Sequence, residues 1–200
     1  VVHDLFADAF NYMKSGTLMR QVINKISEID FNAQDDRHTF GDIYEQILRD
    51  LQSAGNAGEF YTPRAVTEFM VNRVNPKLHD KVLDPACGTG GFLTCTIDHK
   101  RSEYVKNPKD EVALQKSIHG VEKKSLPHLL CVTNMILHGI DTPTGIRSGN
   151  TLERPYKDYG NADRVECIIT NPPFGGMEED GIENNFPAMF RTRETADLFL

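Results

Sequence analysis

Residues 81–93 of this chain read Lys-Val-Leu-Asp-Pro-Ala-Cys-Gly-Thr-Gly-Gly-Phe-Leu. A short apolar run ends there in a glycine-rich turn, and a helical pattern follows from about Gly91 to Val105. This order predicts a strand, a tight turn and a helix, as in sheets whose ligands bind beyond the carboxyl ends of the strands. Glycines in such a turn let backbone N–H groups approach a ligand that a Cβ would obstruct.

The sequence after this first unit continues the alternation of strand and helix. Apolar runs at 117–121, 146–148 and 165–170 predict three more strands, and a helical pattern fills residues 126–137. Alternating strands and helices favour an α/β fold with a partial, parallel sheet of the Rossmann type and flanking helices. The run at 165–170 is almost wholly apolar, so we expect a strand covered on both faces, or an open edge if later strands are absent.

The first 75 residues favour helices instead of strands. Thr62-Pro63 predicts a helix start, with Thr62 as the N-cap and Pro63 at the first helical position. We therefore expect a helical N-terminal region at 1–75 and a separate α/β domain at 76–200. The chain begins without Met and ends within a pattern, so we expect it to be a piece of a longer polypeptide.

The composition and the net charge favour a globular protein and exclude several other classes. The 200 residues are 39% hydrophobic and 26% charged, which fits a globular domain with a small helical appendage. No apolar run reaches the ~18 residues of a transmembrane helix, and the N-terminus lacks the features of a signal peptide. The net charge of −7 argues against a protein that binds DNA tightly without a partner.

The cysteines and histidines predict no metal site. The four cysteines form no CxxC pair and lie in apolar stretches, so we expect four buried thiols in a reducing, cytoplasmic compartment. The seven histidines show neither HExxH nor another zinc-binding spacing. The cysteines are Cys87, Cys95, Cys131 and Cys167.

Two further features of the sequence are candidates for ligand binding or catalysis. Glu122 follows the second predicted strand, where a carboxylate can accept hydrogen bonds from ribose hydroxyls; the alternative is a solvated charge. The fourth predicted strand ends in Asn171-Pro172-Pro173-Phe174. This motif offers acceptor oxygens and an aromatic ring, which would suit the binding of a planar amine. The alternative is a simple turn that ends the strand. The spacing Gly88-Thr89-Gly90-Gly91 differs from GxGxxG and gives little support for a nicotinamide-dependent oxidoreductase.

Taken together, these motifs resemble the S-adenosylmethionine-dependent amino-methyltransferases of DNA. Gly58-Glu59-Phe60-Tyr61-Thr62-Pro63 is similar to a further cofactor motif of the N6-adenine group. The segment from Phe40 to Glu45 is similar to the modification subunit of type I restriction-modification systems. The resemblance spans roughly residues 38–200 and implies that 76–200 is a C-terminally incomplete catalytic domain.

The resemblance assigns a role to each motif. Cofactor contacts are implied for Glu59, Phe60, Tyr61, Thr62, Pro63, Asp84, Gly88, Thr89, Gly90, Gly91, Glu122 and Asn150. Asn171, Pro172, Pro173 and Phe174 are implied as the catalytic motif. Asn150 stands where the family often has Asp near the adenine ring of the cofactor, so it keeps an acceptor but loses the charge.

The resemblance also implies substrate and partners. It implies methyl transfer to N6 of a flipped-out adenine in double-stranded DNA, together with a specificity subunit, a restriction subunit and a second modification subunit. Two alternatives stay open: a methyltransferase for a protein glutamine or an RNA base amine, and a non-catalytic assembly subunit.

Overall fold

The computed structural model describes residues 13–28, 43–44, 62–190 and 192–199. Its helices are α1 (Gly16–Ser27), α2 (Arg64–Val74), α3 (Gly91–Glu103), α4 (Pro108–Lys116), α5 (Ser125–Leu137) and α6 (Thr195–Phe199). Its strands are β1 (Val82–Asp84), β2 (Ile118–Glu122), β3 (Ile146–Ser148) and β4 (Cys167–Ile168). Short 3₁₀ turns occur at Tyr156–Asp158, Asn161–Asp163, Ile182–Asn185 and Ala188–Phe190.

The four strands form a parallel sheet in the order β3-β2-β1-β4. The chain moves outward from β1 to β2 and β3, and then returns to the other side of β1 as β4. The strand order therefore reverses between β1 and β4, the place where α/β sheets bind their ligands. The predicted partial parallel sheet with flanking helices is confirmed.

Two apolar clusters hold the helices on the sheet, and α3 contributes to both. One joins α3, α4 and α5 to β2 and β3, and the other joins α2 and α3 to β1 and β4. Because α3 follows the glycine-rich turn directly, its burial fixes the position of that turn. The larger cluster contains Cys87, Leu93, Ile97, Leu114, Ile118, Cys131, Val132, Met135, Ile140 and Ile146. The smaller contains Val71, Val82, Phe92, Cys95 and Ile169.

The fourth strand corrects one prediction. The expectation that both faces of a strand over 165–170 are covered is wrong, because β4 spans only two residues and Ile168 is 61% exposed. The alternative of an open edge is what the described sheet shows. β4 is the edge of the described sheet, so one of its sides faces no neighbouring strand. Cys167 is for the same reason only partly buried, whereas the other three cysteines are buried as expected.

Two helix boundaries also differ from the predictions. Helix α2 begins at Arg64 with Pro63 as its N-cap, and no side chain caps it, so the prediction of Thr62 as the N-cap is wrong. Helix α4 was not predicted, although Asn107 caps it by accepting from the N–H groups of Lys109 and Asp110. The Asn-Pro pair followed by two acidic residues is a typical signal for such a start.

Candidate cofactor and catalytic site

The glycine-rich turn after β1 is tied to its neighbours by backbone hydrogen bonds. Cys87 N donates to the carbonyl oxygen of Val121 at 3.0 Å. The buried Asn134 side chain on α5 donates from Nδ2 to the carbonyl oxygen of Thr89 at 3.1 Å. The turn is thus held from both β2 and α5.

Gly90 is the position in this turn where only glycine fits. Its φ is +89°, and a Cβ there would lie 2.8 Å from Cys131 Sγ. Gly88 also has a positive φ of +54°, yet a Cβ built there meets no atom within 4 Å, and the same space is open at Gly91. The turn therefore packs tightly on α5 at Gly90 and leaves room beside Gly88 and Gly91, a cradle that side chains would fill.

Glu122, the last residue of β2, lies directly beside the turn. Its Oε2 accepts from Gly88 N at 2.9 Å, and its Oε1 accepts from Lys124 N at 2.8 Å. The carboxylate is therefore held by two backbone donors from different segments. Since each carboxylate oxygen has two acceptor sites, both can still accept from the hydroxyls of a ribose.

Asp84 lies behind the turn and is 1% exposed. Its Oδ1 accepts from Ala86 N at 3.1 Å, which closes the chain directly after β1. Burial is the main cause that raises the pKa of Asp84 to about 7; the negative charge of Glu122 acts in the same direction, and hydrogen bonds from Thr170 and Ala86 oppose it. This carboxyl group supports the turn from within the protein and does not lie on its open side.

Asn150 follows β3 and belongs to a polar cluster that sequence reasoning did not find. Its Nδ2 donates to Oε2 of Glu178 at 2.7 Å, and its Oδ1 accepts from Leu152 N at 2.9 Å. Glu178 is 6% exposed and also accepts from Lys123 Nζ and Thr195 Oγ1, each at 3.0 Å. A negative charge is thus present beside Asn150, although position 150 itself is neutral.

The electrostatics of Glu178 match this arrangement. Burial raises the pKa of Glu178, but the hydrogen bonds from Lys123, Asn150 and Thr195 outweigh burial and hold that pKa below its ordinary value. Glu178 therefore stays ionised and joins the segment that follows Phe174 to the ends of β2 and β3. No sequence signal distinguishes Glu178 from the acidic residues that follow it.

The Asn171–Phe174 motif follows β4, on the side of the sheet where the carboxyl ends of the strands lie. Ile169 N donates to the carbonyl oxygen of Leu83 at 3.1 Å, so β1 and β4 end side by side. Asn171 Nδ2 donates to Thr62 Oγ1 at 3.1 Å, a contact between residues 109 positions apart. The Phe174 ring is 65% exposed. The structure therefore brings together the motif after β4, the turn after β1 and the segment before α2.

The predicted site residues that the structure describes lie at one edge of the sheet. Glu59, Phe60 and Tyr61 lie outside the described residues, and Thr62 and Pro63 are the described part of their motif. Within the described ranges, no three His, Cys, Asp or Glu side chains come together as a possible metal site. Nor does any helix in those ranges have the length and apolar character needed to cross a membrane.

The family model described as N-6 DNA Methylase matches residues 35–199. The chain belongs to this family. The resemblance seen in the sequence motifs is thereby confirmed.

Similar proteins agree with this assignment. The type I restriction enzyme EcoEI methylase subunit of Escherichia coli is 66% identical over 200 residues, all of this chain and 40% of that protein. A modification subunit assigned to a type I restriction enzyme from Vibrio vulnificus YJ016 superposes with a TM-score of 0.86 at 47% identity. That match covers 98% of this chain and 40% of the Vibrio chain.

A more distant structure shows the fold alone. A class I S-adenosylmethionine-dependent methyltransferase from Listeria monocytogenes superposes with a TM-score of 0.66 at 15% identity, over 98% of this chain and 58% of that one. The chain spans about two fifths of the length of the type I subunits named above.

Proposed function

We propose that this chain carries the cofactor site and catalytic motif of a type I modification subunit, which transfers a methyl group from S-adenosylmethionine to N6 of adenine in DNA. One observation carries the proposal. Asn171 leaves β4 next to the glycine turn of β1, at the point where the strand order reverses. An amine-binding motif and a nucleoside-type site thus share one edge of the sheet.

The described residues fit the cofactor. The open space beside Gly88 and Gly91 admits a ligand close to the backbone, and Thr89 and Gly90 complete the turn that would wrap around it. Glu122 would accept from the ribose hydroxyls, and Asn150 would lie near the adenine ring. Asp84 would act indirectly, by holding the turn from behind.

The segment before α2 would complete the cofactor site. Thr62 lies beside the catalytic motif, because its hydroxyl accepts from Asn171 Nδ2, and Pro63 follows it. By resemblance, Glu59, Phe60 and Tyr61 would lie with them at the methionine end of the cofactor. When bound, S-adenosylmethionine supplies an electrophilic methyl group on its sulfonium.

Asn171 and Pro172 would prepare the amine. An adenine N6 is a weak nucleophile because its lone pair is delocalised into the ring. Hydrogen bonds from its two N–H groups to Asn171 Oδ1 and the Pro172 carbonyl oxygen would favour a pyramidal nitrogen with its lone pair localised. Holding two reactants in such a geometry can contribute ~7–11 kcal/mol. No strong base is needed, because the proton leaves readily once the nitrogen carries a positive charge.

Phe174 would hold the base outside the duplex. Flipping a base costs a few kcal/mol. Stacking on an aromatic ring returns ~1–3 kcal/mol per base, and Phe174, which would provide that ring, is 65% exposed. Pro173 restricts the chain between the acceptors and this ring. The two energies are of similar size, so contacts with partners decide whether flipping occurs.

The charge of the chain supports a need for partners. At a net −7, it lacks the basic excess that gives DNA-binding proteins their phosphate contacts. We propose that a specificity subunit binds the target sequence, that two modification subunits clasp the DNA, and that a restriction subunit joins the same complex.

Transfer of tritium from labelled S-adenosylmethionine tests the function. The full-length protein, with its specificity subunit, is offered DNA, RNA and protein, and the labelled product is digested and separated. We expect label in N6-methyladenine of DNA. Label in an RNA base or in protein glutamine would favour the alternative methyltransferases, and no label in any acceptor would favour an assembly subunit.

A further inference from the structure

We infer that Thr62 is a positioning residue that holds the Asn171 amide with its oxygen available to the substrate amine. The inference rests on the proposed function and concerns the same motif. Thr62 Oγ1 accepts from Asn171 Nδ2 at 3.1 Å. Resemblance assigns Thr62 to the cofactor; the hydrogen bond gives its side chain a task in orienting the catalytic amide.

The asparagine amide needs such a contact because its two ends are chemically opposite. Oδ1 can only accept, whereas Nδ2 can only donate. An amine substrate presents N–H donors, so only the orientation with Oδ1 toward the substrate forms a hydrogen bond. The amide torsion of Asn is broad and nearly two-fold, so the two orientations differ little in intrinsic energy. In the orientation found in the structure, Nδ2 donates to Thr62 Oγ1, so Thr62 supplies the acceptor that Nδ2 needs while Oδ1 is left to the substrate.

The Thr62 hydroxyl is available for this contact because it does not cap α2. Pro63 takes the N-cap position, and the described residues show no side-chain capping hydrogen bond there. The hydroxyl of a threonine before a helix commonly accepts a hydrogen bond from a backbone N–H in the first turn of that helix. Here the hydroxyl reaches the motif after β4 instead.

Helix α2 also holds Thr62 in place. Arg64, two residues along, donates to Thr94 Oγ1 at 3.3 Å and to Asp98 Oδ2 at 2.7 Å, both on α3. The Thr67 hydroxyl lies 3.0 Å from Cys95 Sγ in the buried contact between α2 and α3. Since α3 also follows the glycine turn, Thr62 and the cofactor turn share one rigid support. The position of the Asn171 amide is thereby fixed relative to the glycine turn, where the cofactor would bind.

The test compares Thr62→Val with Thr62→Ser in the full-length protein with its specificity subunit. Valine keeps the shape and removes the hydroxyl, whereas serine keeps the hydroxyl. We expect Thr62→Val to lower kcat for DNA methylation about tenfold, ~1.4 kcal/mol. Thr62→Ser should keep most of the kcat that Thr62→Val loses, and in Thr62→Val the fall in kcat should exceed any fall in affinity for S-adenosylmethionine. Thr144→Val, at an exposed threonine, is the matched control.

Three results would overturn the inference: unchanged kcat in Thr62→Val, equal loss in Thr62→Ser and Thr62→Val, or a fall in cofactor affinity that accounts for the whole effect. The wild-type reaction separates this inference from the proposed function. If wild type does not methylate DNA adenine, the proposed function fails; if it does and Thr62→Val matches it, only the role of Thr62 fails.

Discussion

The carboxyl ends of β1 and β4 lie side by side but are built in opposite ways. After β1, Asp84 is 1% exposed, and Gly88 N is tied to a carboxylate of β2. At the end of β4, Ile168 is 61% exposed and Phe174 is 65% exposed. Asn171 there donates a hydrogen bond to the hydroxyl of Thr62, which lies before α2. The first end is held by contacts within the described residues, whereas the second exposes Ile168 and Phe174 among them.

This difference matches what each end would bind. A rigid, prearranged site binds a small cofactor with little loss of conformational entropy. A flipped base would arrive attached to a large, rigid duplex, so its site would have to leave room for that duplex. We therefore expect changes at the β1 end to alter cofactor affinity and stability, and changes at the β4 end to alter turnover.

Removal of the Asn171 side chain should produce the largest effect. We expect Asn171→Ala to lower the rate of methyl transfer by roughly a hundredfold or more, because an acceptor that positions the amine is lost. In this variant the Kd for S-adenosylmethionine, measured by calorimetric titration, should change by less than about twofold. In the exposed control Asn161→Ala, both the rate of methyl transfer and this Kd should stay within about twofold of wild type. Normal turnover in Asn171→Ala would refute its catalytic role.

Glu122 tests the β1 end. We expect Glu122→Ala to weaken S-adenosylmethionine binding by roughly ten- to a hundredfold, since a hydrogen bond to a charged group contributes ~1.5–3 kcal/mol. Glu122→Gln keeps one acceptor oxygen and should lose less. The exposed Glu103→Ala serves as control in the same titration. An unchanged Kd in Glu122→Ala would mean that the carboxylate only holds Gly88 and Lys124.

Gly90 and Gly91 form a matched pair for stability. In Gly90→Ala, the new Cβ would lie 2.8 Å from Cys131 Sγ at a φ of +89°. We expect a loss of about 1–3 kcal/mol and a lower Tm in thermal unfolding. Gly91→Ala meets no atom within 4 Å and should leave Tm nearly unchanged. Equal Tm values for the two variants would contradict the tight packing of the turn on α5.

Asp84 should give the smallest effect, visible in the pH dependence of stability. Burial raises its pKa from 3.8 to about 7, so the folded protein keeps the proton over a range where the unfolded chain has lost it. The free energy of unfolding should therefore fall as pH rises from about 4 to 7 and then level off. Between pH 5.5 and 7 the loss is on the order of 1–2 kcal/mol.

Asp84→Asn isolates this contribution, because asparagine has the same shape and does not titrate. Chemical unfolding at several pH values should show a flatter profile for Asp84→Asn than for wild type over that range. Parallel profiles would mean that Asp84 titrates in the folded protein as it does in the unfolded chain.

Much of the fold could be predicted because its signals are local. A strand that ends in a glycine turn, or in Asn-Pro-Pro, is visible in a short window, and the parallel order then gathers the strand ends at one edge. Residues 81–91 and Glu122 show this directly. Helix α4 had an equally local signal at Asn107-Pro108, which our sequence interpretation did not use.

The remaining features depend on contacts that a short window does not show. Thr62 has the sequence of a helix cap, but its hydroxyl pairs with an amide 109 positions away. Glu178 stands in an acidic run and becomes buried only because three donors from other segments meet it. The apolar run at 165–170 does not reveal that β4 lies at the edge of the described sheet.

The difference between the two ends is tested most directly by titrating cofactor and DNA separately, with and without the specificity subunit. We predict that the isolated full-length protein binds S-adenosylmethionine within about threefold of the affinity of the complex, because the β1 end needs no partner. Its DNA binding should be weak, salt-sensitive and indifferent to sequence, with specific methylation only after the specificity subunit is added. Tight, sequence-selective DNA binding by the isolated protein, or cofactor binding only in the complex, would contradict this division of the site.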